Sequence, residues 1–227
     1  QQGKAGLIQF NLNKVPVQKL GNEGYTINVT PANIVITANQ PAGLFYGMQT
    51  LLQLLPKEIE SKTSARASWT VPGVKITDYP RFGWRGLMLD VSCHFFSKED
   101  VMDYIDQMSR FKYNTFHWHL TDDNGWRVEI KSLPKLTSVG SWRVPRGGHF
   151  GDRDKQKPGE AATDGGFYTQ DDIKEIIKYA QERFITIVPE LDVPGHCMAA
   201  IASYPELCCT KDSSIQVNPG TSFSEWY

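Results

Sequence analysis

The stretch FHWHLTDDNGW, residues 116 to 126, crowds His117, His119, Asp122 and Asp123 onto the end of one expected strand. Imidazoles and carboxylates at such density can move protons, stabilise a charge that develops during reaction, or hold a metal ion. Two other stretches carry the same chemistry: Asp90, Cys93 and His94 follow GLML, and Glu190, Asp192 and His196 lie in VPELDVPGH. Each residue alone also fits a structural hydrogen-bond network, because buried ionisable clusters serve that purpose too. His117 and His119 are two apart on a strand and therefore point to one face. A His-x-His pair at an early strand end, with more histidine and carboxylate downstream, also fits a metal-dependent hydrolase. Against that reading, His196 sits in a Pro-Gly-His turn and no histidine follows it.

The elements that would position these groups can be read from local patterns. GLMLDV (86 to 91) is a continuous apolar run, as expected of a strand covered on both faces, and NTFHWHL (114 to 120) and ITIVPEL (185 to 191) are two more. Ser97 to Asp100 reads as a capping box opening a helix with Val101, Ile105 and Met108 inward. Thr169 to Asp172 opens another, with Ile173, Ile176, Ile177 and Ala180 inward. Strand, helix, strand, helix, strand predicts an α/β fold with a parallel sheet, whose carboxyl-end loops bear the chemistry. Residues 125 to 168 form a long Gly-rich, charged loop on that side, or else a plain surface excursion. Before residue 81 the pattern differs. Alternating runs YTINVT and IVITA flank a turn at Thr30 to Asn33, and a helix follows with Leu44, Met48, Leu51, Leu52 and Leu55 at helical spacing until Pro56. The chain thus divides into an α+β domain over 1–80 and an α/β domain over 81–227.

Composition removes several classes. With 227 residues, 40% of them hydrophobic, and a formal net charge of −1, the chain can build a core but offers nucleic acid no basic face. No apolar run is long enough for a membrane span, and QQGKAG has no signal-peptide pattern, so the protein is expected in the cytoplasm or, after removal of a leader, outside it. Cys93, Cys197, Cys208 and Cys209 form neither a CxxC zinc pattern nor a disulfide scaffold and read as ordinary thiols.

WRGLMLDVSCHFF (84 to 96), FHWHLTDDNGWR (116 to 127) and VPELDVPGH (188 to 196), in that order, resemble the β-N-acetylhexosaminidases of glycoside hydrolase family 20. AGLFYGMQTLLQLLP (42 to 56) resembles the small domain that precedes their barrel. The resemblance implies the N-terminal part of a (β/α)8 TIM barrel behind an α+β flanking domain. It implies an exo-acting hydrolase that removes terminal β-linked N-acetylglucosamine or N-acetylgalactosamine from glycans, with no metal or other cofactor. In that family the substrate's own acetamido oxygen attacks the anomeric carbon. An Asp orients the acetamide and an adjacent Glu protonates the leaving oxygen. By the same resemblance Asp122 contacts His196, which reaches the acid Glu, and both are assigned to catalysis. His119, Asp123, Glu190 and Asp192 form the surrounding shell, although Asp123 also fits a simple loop cap. Trp126 borders the substrate pocket. An extracytoplasmic location (periplasmic, secreted or lysosome-like) is implied as well.

Two departures qualify this picture. The family's Asp-Glu pair follows the fourth barrel strand, yet no Asp-Glu dipeptide occurs here, and the sequence stops at SFSEWY with three strand-helix units. The expected partner is therefore the remaining C-terminal part of the barrel, as a second segment or chain, without which the isolated chain is expected to be inactive. Glu225, after a loop-like stretch, is a poor substitute. Cys93 stands where the family has a sugar-binding Arg, and a thiol cannot replace a charged, forked donor. A carbohydrate-binding relic without turnover is the alternative that these departures favour.

Overall fold

A computed structural model describes residues 6–64, 66–146 and 156–220; Glu225 and part of the long loop lie outside the described residues. The chain forms two units, one of Gln1–Arg85 with Gln107–Asn114 and one of Gly86–Asp106 with Thr115–Tyr227. No helix among the described residues is long and apolar enough to cross a membrane.

The first unit is a four-stranded sheet in the order β1 (Leu7–Leu12), β3 (Asn33–Ala38), β2 (Tyr25–Val29) and β4 (Lys75–Asp78), with helix α1 (Pro41–Leu54) packed on it. The β2–β3 turn closes through Thr30, whose backbone N–H donates to Asn33 O at 2.9 Å. Tyr25, Ile27, Val29, Ile36 and Ala38 meet Tyr46 and Leu51 in its core. Lys112, in the short second segment of this unit, donates to Tyr25 Oη at 2.6 Å and Asp78 Oδ2 at 3.0 Å.

The buried face of α1 follows the leucine stripe that spacing suggests only in part, through Leu44 and Leu51. Gly43, Tyr46, Gly47, Gln49 and Leu51 are buried, Leu52 is 37% exposed, and Leu55 lies past the helix end. The cause is close approach. A Cβ on Gly43 would stand 2.4 Å from Gly24 O and 2.8 Å from Ala38 Cβ, and one on Gly47 would stand 2.6 Å from Ile36 Cγ2. Replacing Gly43 by Ala should destabilise the protein by about 1–3 kcal/mol despite the better helix propensity of alanine, because the nearest obstacle is backbone. Urea denaturation of the variant checks this; unchanged stability would mean that the helix can lift off without cost.

The second unit is built on three parallel strands in the order β11 (Thr186–Glu190), β6 (Thr115–His119) and β5 (Gly86–Asp90). Between them run α2 (Lys98–Arg110) and α4 (Gln170–Gln181). Both capping boxes form: Ser97 Oγ accepts from Asp100 N at 3.1 Å, and Thr169 Oγ1 accepts from Asp172 N at 3.1 Å. Val101 and Ile105 of α2 and Ile176 and Ala180 of α4 are buried. Phe116 and Trp118 point to the helical side, where their rings meet those of Tyr104 and Tyr168. The opposite face carries His117 and His119. β6 alone of the three has a strand on each side. β5, expected to be covered on both faces, leaves Met88 53% exposed, because Met88 points to the face that carries His117, itself 39% exposed.

Residues 125 to 168, expected as a long loop, contain small ordered pieces. A hairpin of β7 (Thr121–Asp122) and β8 (Gly125–Trp126) leads to α3 (Lys135–Ser138), and β9 (Trp142–Arg143) pairs with β10 (Asp164–Gly165). After β11 comes α5 (Met198–Ser203).

Candidate active site

The parallel strands align without slip, so Asp90, His119 and Glu190 form one row across the three carboxyl ends. Met88, His117 and Val188 form another row on the same face, two residues toward the amino ends. Glu190 Oε2 accepts from both histidines, at 2.6 Å from His117 Nε2 and 2.7 Å from His119 Nδ1. The other nitrogen of His119 faces Asp122 Oδ2 at 3.2 Å. With a carboxylate at each ring nitrogen, His119 carries both protons. Hydrogen bonding to Asp122 raises its pKa to about 9, with Glu190 adding to the shift and burial opposing it. Glu190 is held below its ordinary value, chiefly by hydrogen bonding from His119 and then from His117.

The β7–β8 hairpin carries Asp122 and Asp123 over this row. Asp122 Oδ1 accepts the Asp123 N–H at 2.5 Å, and Asp123 Oδ1 accepts the Met198 N–H, at the start of α5, at 3.1 Å. His196, from the turn before α5, brings Nδ1 to 3.6 Å from Asp122 Oδ1 and 3.5 Å from Asp123 Oδ2. Its backbone is in the left-handed region (φ 47°), which few non-glycine residues occupy, and its side chain is 40% exposed while that of Asp123 is 1% exposed. Asp122, Asp123, His119, Glu190 and His196 thus form one continuous cluster. The direct hydrogen-bond partner of Asp122 is His119, with His196 at ion-pair range of both aspartates.

Other expected site residues are placed differently. Asp192 is half-buried, and its N–H donates to Thr121 Oγ1 at 2.9 Å, which ties the β11 exit to the hairpin. Cys93 is exposed at the β5 exit by its overall surface, yet partial desolvation of its thiol, then hydrogen bonding to Asp90 and the Asp90 charge, push its pKa up to about 12. Its N–H and that of Ser92 both donate to Asp90 Oδ1, at 2.9 and 2.8 Å. Trp126, expected to border the pocket, instead packs with Leu136, Ala199, Ala200 and Val217 and is 7% exposed. Its indole N–H donates to Val128 O at 2.8 Å, so turning it outward would break that bond and open the cluster.

Among the described residues, one group brings three possible metal-ligand atoms within 4.8 Å of one another: Asp122, Asp123 and His196. Three of the four carboxylate oxygens there already accept hydrogen bonds, from the Asp123 and Met198 amides and from His119. Both histidines of the His-x-His pair are turned to Glu190. The donor set is that of a proton-holding ion-pair network, in which a half-exposed imidazole can exchange a proton with a group brought to it.

Sequence reasoning missed Arg127, which is fully buried and bonded to backbone carbonyls around the hairpin, and Asn124, whose amide donates to Asn218 O and Gly220 O at 2.8 Å. Their signal was faint: a charged residue within the otherwise buried run GWRV, and an Asn in a turn.

The profile of the glycosyl hydrolase family 20 catalytic domain matches residues 82–225, and that of family 20 domain 2 matches residues 1–79. A β-hexosaminidase of Porphyromonas gingivalis is 49% identical over 190 residues, covering 84% of this chain and 23% of the relative. One of Akkermansia muciniphila is 34% identical over 224 residues, covering 98% and 42%. Among solved structures, a mutant Streptomyces plicatus β-hexosaminidase in complex with product (GlcNAc) superposes with a TM-score of 0.83 at 42% identity, covering 95% of this chain and 40% of that one. The chain therefore spans less than half the length of these relatives.

Proposed function

The chain belongs to glycosyl hydrolase family 20, and from that premise we propose that it forms part of an exo-acting enzyme that releases terminal β-linked N-acetylhexosamine from glycans. The observation that carries the reading is the juxtaposition of Asp122 and His196, 3.6 Å apart, over a row of charged groups on parallel strand ends. In this reaction the acetamido oxygen of the sugar attacks its own anomeric carbon with retention. Asp122 and Asp123, at 3.6 and 3.5 Å from its Nδ1, orient the His196 imidazole toward the proton-donating carboxyl. His119, held cationic, fixes the Asp122 carboxyl in place through its Nε2. These 227 residues contain no Asp-Glu dipeptide; the proposal assigns the acid and the acetamide-orienting carboxylate to further strands of the barrel, which would be the partner of this chain. Work on glycans outside the cytoplasm belongs to the same proposal.

A chromogenic N-acetylglucosaminide tests it, incubated with the 227-residue polypeptide and with a longer one that continues through the next strand units. Release by the longer polypeptide alone is the expected result. Sugar binding by the longer polypeptide without any release would support the non-catalytic reading that Cys93 favours.

Cys93 itself yields a prediction. Cys93→Arg in the longer polypeptide adds a forked cation beside Asp90 and should tighten binding of a simple N-acetylglucosaminide about tenfold, the worth of one charge-assisted hydrogen bond. Isothermal titration reads the change; equal or weaker binding would mean that another group already fills the role.

A further inference from the structure

Arg127 follows the hairpin strand β8 and is 0% exposed. A buried guanidinium is costly unless every donor is met. Here each of its five N–H groups has a carbonyl within reach: Nε donates to Val91 O at 3.0 Å, Nη2 to Ser92 O at 2.7 Å and Asn124 O at 3.4 Å, and Nη1 to Ser141 O at 2.6 Å and Gly166 O at 3.1 Å. No hydrogen-bonded carboxylate offsets the charge among these contacts, and burial lowers the pKa to about 10. The surroundings are shaped to it. A Cβ on Gly125 would lie 2.2 Å from Arg127 Cζ, and one on Gly165 would lie 1.9 Å from Ser141 O, an acceptor of the guanidinium. The Phe95 ring lies 5.7 Å from Cζ.

The five carbonyls belong to the β5 exit, the β7–β8 turn, the residue before β9 and the residue after β10. These are the segments that carry Cys93, Asp122 and Asp123, and the β9–β10 ribbon. The β5 exit is held from two sides, its amides at 92 and 93 by the Asp90 carboxylate and its carbonyls at 91 and 92 by Arg127. A lysine could supply charge but not this fork.

We propose that Arg127 is the positioning residue of the candidate site: its buried guanidinium clasps four chain segments by their carbonyls and so sets where residue 93 presents its side chain. The clasp stands on the geometry of this unit and does not depend on the reaction assigned above. Released from it, the 91–93 turn would leave Asp90, and the Cys93 thiol would lose the part of its suppressed ionisation that comes from the Asp90 carboxylate, along with some of its burial.

Site-resolved alkylation of the purified protein with isotope-coded iodoacetamide, followed by peptide mass spectrometry, reads this directly, since thiolate content sets the rate. In Arg127→Gly the Cys93 rate should rise at least about tenfold while the Cys197 rate stays within about twofold, and millimolar guanidinium should restore protection by refilling the space. Arg127→Lys, which keeps the charge, should give an intermediate Cys93 rate and provides the reading if the glycine variant does not fold. An unchanged Cys93 rate in the lysine variant, or equal rises at Cys93 and Cys197 without guanidinium rescue, would overturn the proposal. N-acetylglucosamine binding is measured in parallel. If Cys93 is released selectively but sugar affinity is unaltered, the clasp stands and the assignment of residue 93 to the sugar pocket fails.

Discussion

Replacing Asp122 by Asn, in a polypeptide that also carries the rest of the barrel, is expected to lower kcat/KM for an N-acetylglucosaminide by about 10²- to 10⁴-fold, the usual range for disabling proton transfer. The substitution is nearly isosteric. The side-chain oxygen can still accept the Asp123 amide, which now lies 2.5 Å from it, so the hairpin should keep its shape. What disappears is one negative charge, 3.6 Å from His196 and 3.2 Å from His119. His119 reports the same change without any turnover: Asp122 is the largest cause of its raised pKa, so the value should fall from about 9 toward the ordinary imidazole range. Steady-state kinetics with imidazole NMR titration measures both effects. A loss below about threefold, with His119 shifted as expected, would show that the cluster is structural and not part of proton transfer.

The second large effect is on stability. His119 titrates near 6.5 when unfolded and at about 9 in the folded protein. Below pH 6.5 both states are protonated and the full stabilisation is present. As pH rises toward 9, the unfolded chain loses its proton first, and the contribution fades as the folded state deprotonates. The shift corresponds to about 3 kcal/mol, an upper value because Glu190 is 37% exposed and screened by water. Urea denaturation between pH 6 and 10 should show the decline in the parent protein, and His119→Gln should flatten it. An equal slope in the two proteins would refute the assignment.

Local pattern carried much of this protein. The capping boxes at Ser97 and Thr169 formed because a short side chain and an acid three residues on satisfy each other without help from elsewhere. The three parallel strands lie within a residue or so of where their apolar runs placed them. Other features were out of reach because they depend on what another segment brings. The face of α1 is chosen by the approach of Gly43 to Gly24 and Ala38, which leaves the leucines less buried than their spacing suggests. Trp126 is expected at the pocket's border, yet the arrival of α5 packs it into a core cluster.

Residue type and order alone established that acids and histidines gather at three successive strand ends, because a period-two strand and a capped helix are properties of a few neighbouring residues. They also established the family, since the three strings are long and ordered. Tertiary structure alone decided who touches whom. In-register pairing of β5, β6 and β11 made Glu190 the shared acceptor of His117 and His119, and His119 the direct partner of Asp122. It also brought five carbonyls to one arginine from segments up to 39 residues away. A hydrogen bond is set by distances of a few tenths of an ångström between groups far apart in the chain, and no local pattern encodes those distances.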